Sequence, residues 1–400
     1  MVWASQTAAS AGTAELASDL MHNAEADHPD HANDVARAVA DLRRGDVVLL
    51  RDKGSNALVL AAESIDDASF ARLRALAIPG KAAPAAPLLA TTARRAEALG
   101  LACDAGALAR IVELRLPADT SPAMLRELAD PTIGETQAPE GVTLRPTEAD
   151  GIAAAAVELA KLARLLPAMV IQPNITREAV AAAEQEGIIA LGTAQVRHHR
   201  ETLAHTLRRV AEARVPLADS ADTHIVAFRP SDGGIDHLAI VVGVPEPGQP
   251  ILARIHSECF TGDLLGSLRC DCGDQLRGAI KAIADSGKGG VVLYLAQEGR
   301  GIGLINKLRA YKLQDAGFDT VDANMQLGFD ADERIYLPAA EMLRQLGFDK
   351  VRLMTNNPEK LAALAHYGIE VVERVPHAFP ANSHNRSYLE TKARRSGHLF

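Results

Sequence analysis

From residue 273 onward the chain alternates helical patterns with short apolar runs, and few architectures accept that alternation. Residues 290–296 read GVVLYLA, too short for an ordinary helix and apolar on both faces, the pattern of a strand covered on both sides. Before it, residues 275–284 are amphipathic, with Leu276, Ile280 and Ile283 on one stripe. Residues 304–316 predict a helix closed by Gly317, and residues 339–346 another closed by Gly347. A strand over 350–355, a helix begun by Pro358 and ending at Gly368, and a strand over 369–375 complete the series. Pro just inside a helix start and Gly just past its end is the expected asymmetry. With strands over 237–242 and 251–256, this half reads as α/β.

Upstream the rhythm is irregular. Ala-rich helical patterns cover 36–42, 68–76, 152–165 and 176–186, with short apolar strands at 46–50 and 57–61 and a Pro- and Ala-rich stretch at 79–87. This half reads as α+β rather than as a regular βαβ repeat. Residues 193–213 predict a basic, mostly helical connector, and the chain divides near 205–220. The expected organisation is a flexible leader over 1–33, a first domain over 34–204 and a second over 205–400. Four hundred residues, 48% of them hydrophobic, suffice for two domains, each with its own core.

A formal charge of −9 argues against a nucleic-acid-binding face and leaves room for a local basic pocket. No run approaches the roughly 18–20 apolar residues of a membrane span, and no membrane partner is expected. The N-terminus has neither the charged nor the apolar region of a signal peptide, so the cytoplasm is the expected compartment. Four cysteines without an export signal do not suggest a disulfide framework.

Cys259, Cys270 and Cys272 form C-x10-C-x-C just before a helical pattern. Two thiolates one residue apart face one metal only where the backbone turns sharply, which Gly273 permits. Zinc prefers sulfur, and three protein ligands leave its fourth position for water. Spacing alone also admits three ordinary buried thiols, or a closed site with a histidine such as His256 as fourth ligand.

The stretch ARIHSECFTGDLLGSLRCDCGDQL is followed by YLAQEGRGIGLINKLRAYKLQDAGFDTVDAN, then QLGFDADERIYLPAAEMLRQLG, then VRLMTNNPEKLAALAHYGIEVVERVP. In order and spacing these resemble GTP cyclohydrolase II, over roughly residue 206 to Phe400. The resemblance implies an α/β GTP cyclohydrolase II-like domain behind the α+β N-terminal one. It implies a zinc ion on Cys259, Cys270 and Cys272, Mg2+ with the GTP triphosphate, and attack of an activated water at C8 of guanine. The implied products are 2,5-diamino-6-(5-phosphoribosylamino)pyrimidin-4(3H)-one, formate and pyrophosphate, the first step of riboflavin synthesis. A homodimer is expected.

The same resemblance assigns the remaining residues. Asp332 and Arg334 match the family's general base and nucleophile for the phosphoryl step, and Tyr311 matches a tyrosine near the guanine ring. A guanidinium stays protonated and has no free lone pair, so Arg334 can equally clamp the α-phosphate. Arg254, Ile255, His256, Ser257 and Glu258 match the nucleotide-binding strand. Glu298, Gly299 and Arg300 match a phosphate-facing Gly-rich turn, and Gln275, Thr320, Thr355 and Lys360 the other GTP contacts. The chain departs from several relatives at Leu295-Ala296, where they carry a basic residue, and at Asp274. Alternatives are a relative acting on another nucleotide or pyrimidine, and a non-catalytic nucleotide-binding regulator.

Residues 34–200 resemble 3,4-dihydroxy-2-butanone 4-phosphate synthase, which such a cyclohydrolase often follows in one chain. AVADLRRGDVVLL, LVLAAE, RELADP and AAVELAKLA carry the likeness. The acid-rich loop of that family is here Arg51-Asp-Lys-Gly-Ser-Asn-Ala57, and its Gly-His-Thr-Glu motif is Gly151-Ile152-Ala153-Ala154. Magnesium needs oxygen ligands that Ile and Ala do not supply. The expectation is a degenerate domain without synthase activity.

Overall fold

In the computed structural model the described residues are 29–77, 87–103, 111–134, 137–380, 383, 385 and 394–395. Most of the expected leader, the stretch at 79–87 except Pro87, and the end of the chain lie outside them.

Among the described residues fourteen strands build two seven-stranded sheets. The first sheet uses β1 (Val48–Asp52), β2 (Ser55–Ala61), β3 (Leu88–Thr92), β4 (Ile111–Arg115), β5 (Thr143–Pro146), β6 (Ala168–Pro173) and β7 (Ala190–Gly192). The second uses β8 (Arg208–Arg214), β9 (Thr223–Arg229), β10 (His237–Val242), β11 (Ile251–Ser257), β12 (Gly290–Leu295), β13 (Lys350–Met354) and β14 (Glu370–Val375).

The first sheet runs β5-β4-β3-β6-β2-β1-β7 and is antiparallel except where β7 joins β1. Its β1–β2 hairpin closes on two residues, Lys53 and Gly54, both with positive φ, the geometry whose twist suits the flanking strands. That turn stands where the synthase family's acidic loop is expected. Gly151 caps the helix Ile152–Leu162, and Ala153, Ala155 and Ala156 on that helix are core residues.

The second sheet runs β14-β13-β11-β12-β10-β9-β8. Strands β12, β11, β13 and β14 are parallel neighbours, whereas β10, β9 and β8 extend the sheet antiparallel. The GVVLYL run is a central strand, buried at five of six positions. The connector expected over 193–213 is helical only to His205. Arg208–Arg214 is instead an edge strand, exposed at every position. Its alternating small and charged residues bury nothing, so hydrophobic periodicity could not reveal it. Pairing with β9 alone makes it a strand.

The helix Pro29–Arg43 begins inside the span expected to be a leader. The pattern at 152–165 was expected to be one helix, but the helix stops at Leu162 and Arg164 turns left-handed, φ 57.

The cores of the two halves are not separate. Ile302, Ala310, Leu313, Ala323, Leu327 and Phe329 from the second half join the apolar cluster of Leu60, Leu89, Leu128 and Leu166 in the first. Helices Leu304–Asp315 and Thr320–Gln326 therefore complete the core of the first sheet while belonging in sequence to the second. Burying each Leu, Ile or Phe stabilises the union by about 1.5–3 kcal/mol. Polar contacts follow the same seam. Arg309 pairs with Glu63 at 2.9 Å and with Asp130 at 2.8 Å, and Lys161 pairs with Glu333 at 2.6 Å. Thr92 Oγ1 donates to the Gly328 carbonyl at 2.8 Å.

Phe329→Ala should cost about 3–5 kcal/mol, because its ring is 1% exposed in this shared core. Urea unfolding followed by circular dichroism should show one transition moved to lower denaturant. Two separated transitions, with only the second moved, would contradict a shared core.

Candidate active site

Parallel strands present their carboxyl ends on one side, and a crevice forms where the following loops diverge. Here β11 ends at Ser257, β12 at Leu295 and β13 at Met354, and one cavity opens beyond them. It is closed on the far side by the helix Leu304–Asp315 and the start of the helix Thr320–Gln326. Every residue expected from the sequence lines this cavity except Asp332, which lies behind Arg334.

The thiols of Cys259, Cys270 and Cys272 lie within 4.8 Å of one another, with Cys259 and Cys270 at 3.7 Å. Tetrahedral coordination with metal–sulfur bonds near 2.3 Å puts two sulfurs roughly 3.8 Å apart, so the trio fits one soft divalent ion. Among the described residues no other cluster of metal-ligating side chains forms. Closeness here depends on Gly262: a Cβ on it would stand 2.7 Å from Cys270 Sγ and 3.0 Å from Cys259 Sγ. Gly273 has a different job from the sharp turn expected of it. A Cβ there would meet the Gly262 carbonyl at 2.4 Å, so it allows close approach. The turn itself comes from Asp271, which precedes the helix Cys272–Asp285.

His256 is not placed as a fourth ligand. Its Nε2 faces both oxygens of Asp263 at 3.1 Å, and its ring stacks on Tyr294. Burial holds the imidazole below its usual pKa, against the pull of Asp263. Asp263 also accepts from the Tyr294 hydroxyl at 3.0 Å and from the Cys259 amide at 2.9 Å. This carboxylate thus fixes the backbone that carries the first thiol.

Lys307 donates to Cys259 Sγ at 3.0 Å, to Thr261 Oγ1 at 3.0 Å and to Glu298 at 2.8 Å. Hydrogen bonds from Cys270 and Cys272, with the Lys307 charge, hold the Cys259 thiol well below the usual range. The shared proton pushes Cys272 well above it. Tyr311 lies one turn along the same helix, its hydroxyl 3.4 Å from Thr261, with the Arg269 guanidinium over its ring at 5.0 Å. Burial raises the phenol's pKa, so it stays a hydrogen-bond donor.

Further cations line the same cavity. Arg334 is held against Asp332, with Nε at 2.8 Å from Oδ1, and its Nη1 reaches Ser257 Oγ at 3.3 Å. Burial raises the Asp332 carboxyl, but the Arg334 pairing outweighs it and leaves the pKa below its usual value. Arg254 is 6% exposed; it donates to the Met354 carbonyl at 2.9 Å and pairs with Gln275, while its Nε has no partner. Burial lowers its pKa to about 10. Lys360 reaches the Ile255 carbonyl at 2.8 Å. Thr355 accepts from the Asn357 amide at 3.0 Å, and Asn357 caps the helix Pro358–His366. Thr320 opens its helix behind the Asp319 cap, and Gln314 contacts it at 3.5 Å.

The Gly-rich turn lines the cavity as well. Glu298 is 3% exposed and accepts from the Phe260 amide at 2.6 Å as well as from Lys307, so it ties the turn to the thiol loop. Gly299 and Arg300 both have positive φ, 64 and 61. Arg300 donates to the Ala331 carbonyl at 3.2 Å, and its own carbonyl accepts from the Glu333 amide at 3.0 Å. Gly301 leaves no room for a Cβ, which would stand 2.9 Å from the Glu333 backbone. A strained turn packed on the D-E-R loop places cations at a cleft.

The family model described as GTP cyclohydrolase II matches residues 208–376. A protein of Azospirillum brasilense named GTP cyclohydrolase-2 is 55% identical over 370 residues, 92% of this chain and 94% of that one. The chain belongs to the GTP cyclohydrolase II family. A riboflavin biosynthesis protein RibBA of Bacillus cereus is 47% identical over 274 residues, 66% of this chain and 67% of its own length. Among solved structures, a two-domain 3,4-dihydroxy-2-butanone 4-phosphate synthase of A. baumannii is similar at a TM-score of 0.33 and 19% identity, over 86% of this chain and 99% of that one.

Sequence reasoning missed two residues of this family member's site. Lys307 had a signal: it stands four residues before Tyr311 on one helix, hence on the same face. Asp263 had none, because its partners His256 and Tyr294 come from two different strands.

Gly262→Ala should abolish stable metal retention with little loss of secondary structure. Metal analysis after desalting, with circular dichroism as control, reads the outcome. Full metal occupancy in the variant would refute the steric argument.

Proposed function

We propose that the chain hydrolyses GTP, opening the guanine ring beside the cysteine trio and releasing formate and pyrophosphate. One observation carries this reading: a soft trithiol set and several cations of a kind that suits phosphate line the same cavity at the ends of three parallel strands. A sulfur-only set of three suits zinc, which when bound polarises water and carbonyl-like carbons. Mg2+ enters with the triphosphate.

The protein's own residues divide the work. The guanine ring lies toward Tyr311 and the thiols, where the protonated phenol donates to the opening ring. Lys307 balances the thiolate charge and orients Thr261. Burial and the neighbouring Glu298 raise the Glu258 carboxyl, so a proton can be held next to the ring. Arg254, Arg300 and Lys360 receive the phosphates; the partnerless Arg254 Nε supports this, since a buried donor left unpaired is costly. Arg334 acts as a clamp on the α-phosphate rather than as a nucleophile. Its fork is already engaged by Asp332, and a guanidinium so paired keeps its proton.

The first half carries no synthase activity in this reading. A tight hairpin turn at Lys53-Gly54 and the helix start Ile152-Ala153-Ala154 occupy the positions of the family's acids and histidine, and Ile and Ala offer no oxygen ligand. Exposed Leu264, Leu265, Leu268, Ile305 and Leu308 support a homodimer, which sedimentation of the wild type and of Leu265→Glu would test.

Purified protein given GTP and Mg2+ should form the pyrimidine product, and Cys270→Ser should form none. Wild type that contains stoichiometric metal yet makes no product ends the proposal. Arg334→Ala should lose pyrophosphate release by about a hundredfold or more, the scale of removing one transition-state donor; an unchanged rate would remove Arg334 from this role. Ribulose 5-phosphate offered to the full chain should remain unconsumed.

A further inference from the structure

Arg164 occupies a backbone position that suits glycine. Its φ is 57, just past the end of the helix Ile152–Leu162. Among the described residues only Lys53, Asn174 and Arg300 share that sign without being glycine. Lys53 sits in the β1–β2 turn, Asn tolerates the region well, and Arg300 lies in the active-site turn. A strained residue persists where its surroundings use it.

Both the main chain and the side chain of Arg164 are in use. Its carbonyl accepts from Asn306 Nδ2 at 3.0 Å, and Asn306 is fully buried, also donating to Ile302. Its Nη2 donates to the Ala296 carbonyl at 2.9 Å. Its aliphatic stem lies against Gly303, where a Cβ would come within 3.1 Å of Cδ. Ala296 and Gly303 bracket the turn that carries Glu298, Gly299 and Arg300. Four residues of that turn, Gly299, Arg300, Gly301 and Gly303, have positive φ. A segment so rich in glycine has many conformations of similar energy, and fixing both ends removes most of them.

We infer that Arg164, although it belongs to the first half of the chain, is a positioning residue for the reaction, holding both ends of the turn that faces the GTP cavity. The inference builds on the GTP reading above and gives the first half a part in catalysis that its own missing acids do not. The charge environment agrees with the geometry. Burial and the nearby Arg43 weigh against the Arg164 charge, and Glu258 and Glu298, both in the cavity, favour it. On its other side is His237, whose Nδ1 accepts from the Ala296 amide at 3.0 Å. Burial first, and then the Arg164 charge, lower the His237 imidazole to about 4.

Arg164→Gly is the decisive variant, because glycine adopts this backbone without strain and only the side chain is lost. Its thermal midpoint should equal or exceed that of wild type and its metal content should be unchanged. Its kcat/KM for GTP should fall roughly tenfold, mostly in kcat, the scale of one charge-assisted hydrogen bond. Arg164→Lys should recover part of the loss, having the charge but not the fork. The His237 titration followed by NMR should move upward in the Gly variant. Wild-type kcat/KM in Arg164→Gly overturns the inference, and so does a loss of activity that merely follows a lowered midpoint. If wild type itself turns over no GTP, the GTP reading fails instead. His237 then decides for Arg164: an unmoved titration overturns the contact with the turn, and an upward shift sustains it.

Discussion

A thiolate and a carboxylate buried side by side repel each other unless a cation stands between them, and in this protein that cation is Lys307. Its ammonium lies 3.0 Å from Cys259 Sγ and 2.8 Å from Glu298. Burial disfavours the charge, but the two anions more than offset that and raise the Lys307 pKa. The thiol loop, the Gly-rich turn and the helix Leu304–Asp315 meet at this one group. Without it, Cys259 and Glu298 would lack compensation in a setting where Coulomb repulsion is weakly screened.

The helix that carries Lys307 is itself held from outside the second sheet. Ala310 and Leu313 lie in the core of the first half, and Arg309 is fastened between Glu63 and Asp130. The D-E-R loop is treated alike, with Glu333 held by Lys161 and its carbonyl by Arg200. Arg94 pairs with Asp330 beside it. The first half is therefore fastened to two parts of the cavity wall, the helix Leu304–Asp315 and the D-E-R loop. Such connections reduce the conformational freedom that binding a flexible triphosphate would otherwise have to remove.

Much of the cavity was legible in the sequence because its residues lie at the ends of strands with strong local signals. GVVLYL is long enough and apolar enough to be a central strand, so Gln297 to Arg300 follow a strand end. Asn357 and Pro358 announce a helix start, which places Thr355 and Lys360 on either side of it. The trio of cysteines was visible as spacing. Illegible were the elements with no local pattern. Strand β8 is exposed throughout and exists by pairing alone, and the left-handed Arg164 interrupts a periodicity that read as one helix to residue 165.

By itself the sequence marked the three cysteines by their spacing, and its resemblance to GTP cyclohydrolase II pointed to D-E-R, Tyr311 and the cations as candidate groups. Tertiary structure alone decided that Asp263 rather than the metal takes His256, that Gly262 makes room for sulfur, and that two helices of the second half finish the core of the first. The physical reason is the same in each case. Residue type does not say which neighbour a group will meet: His256 and Asp263 are only seven residues apart, and Gly262 three from Cys259, but the path of the loop between them is set by the fold, and the shared core joins residues far apart in the chain.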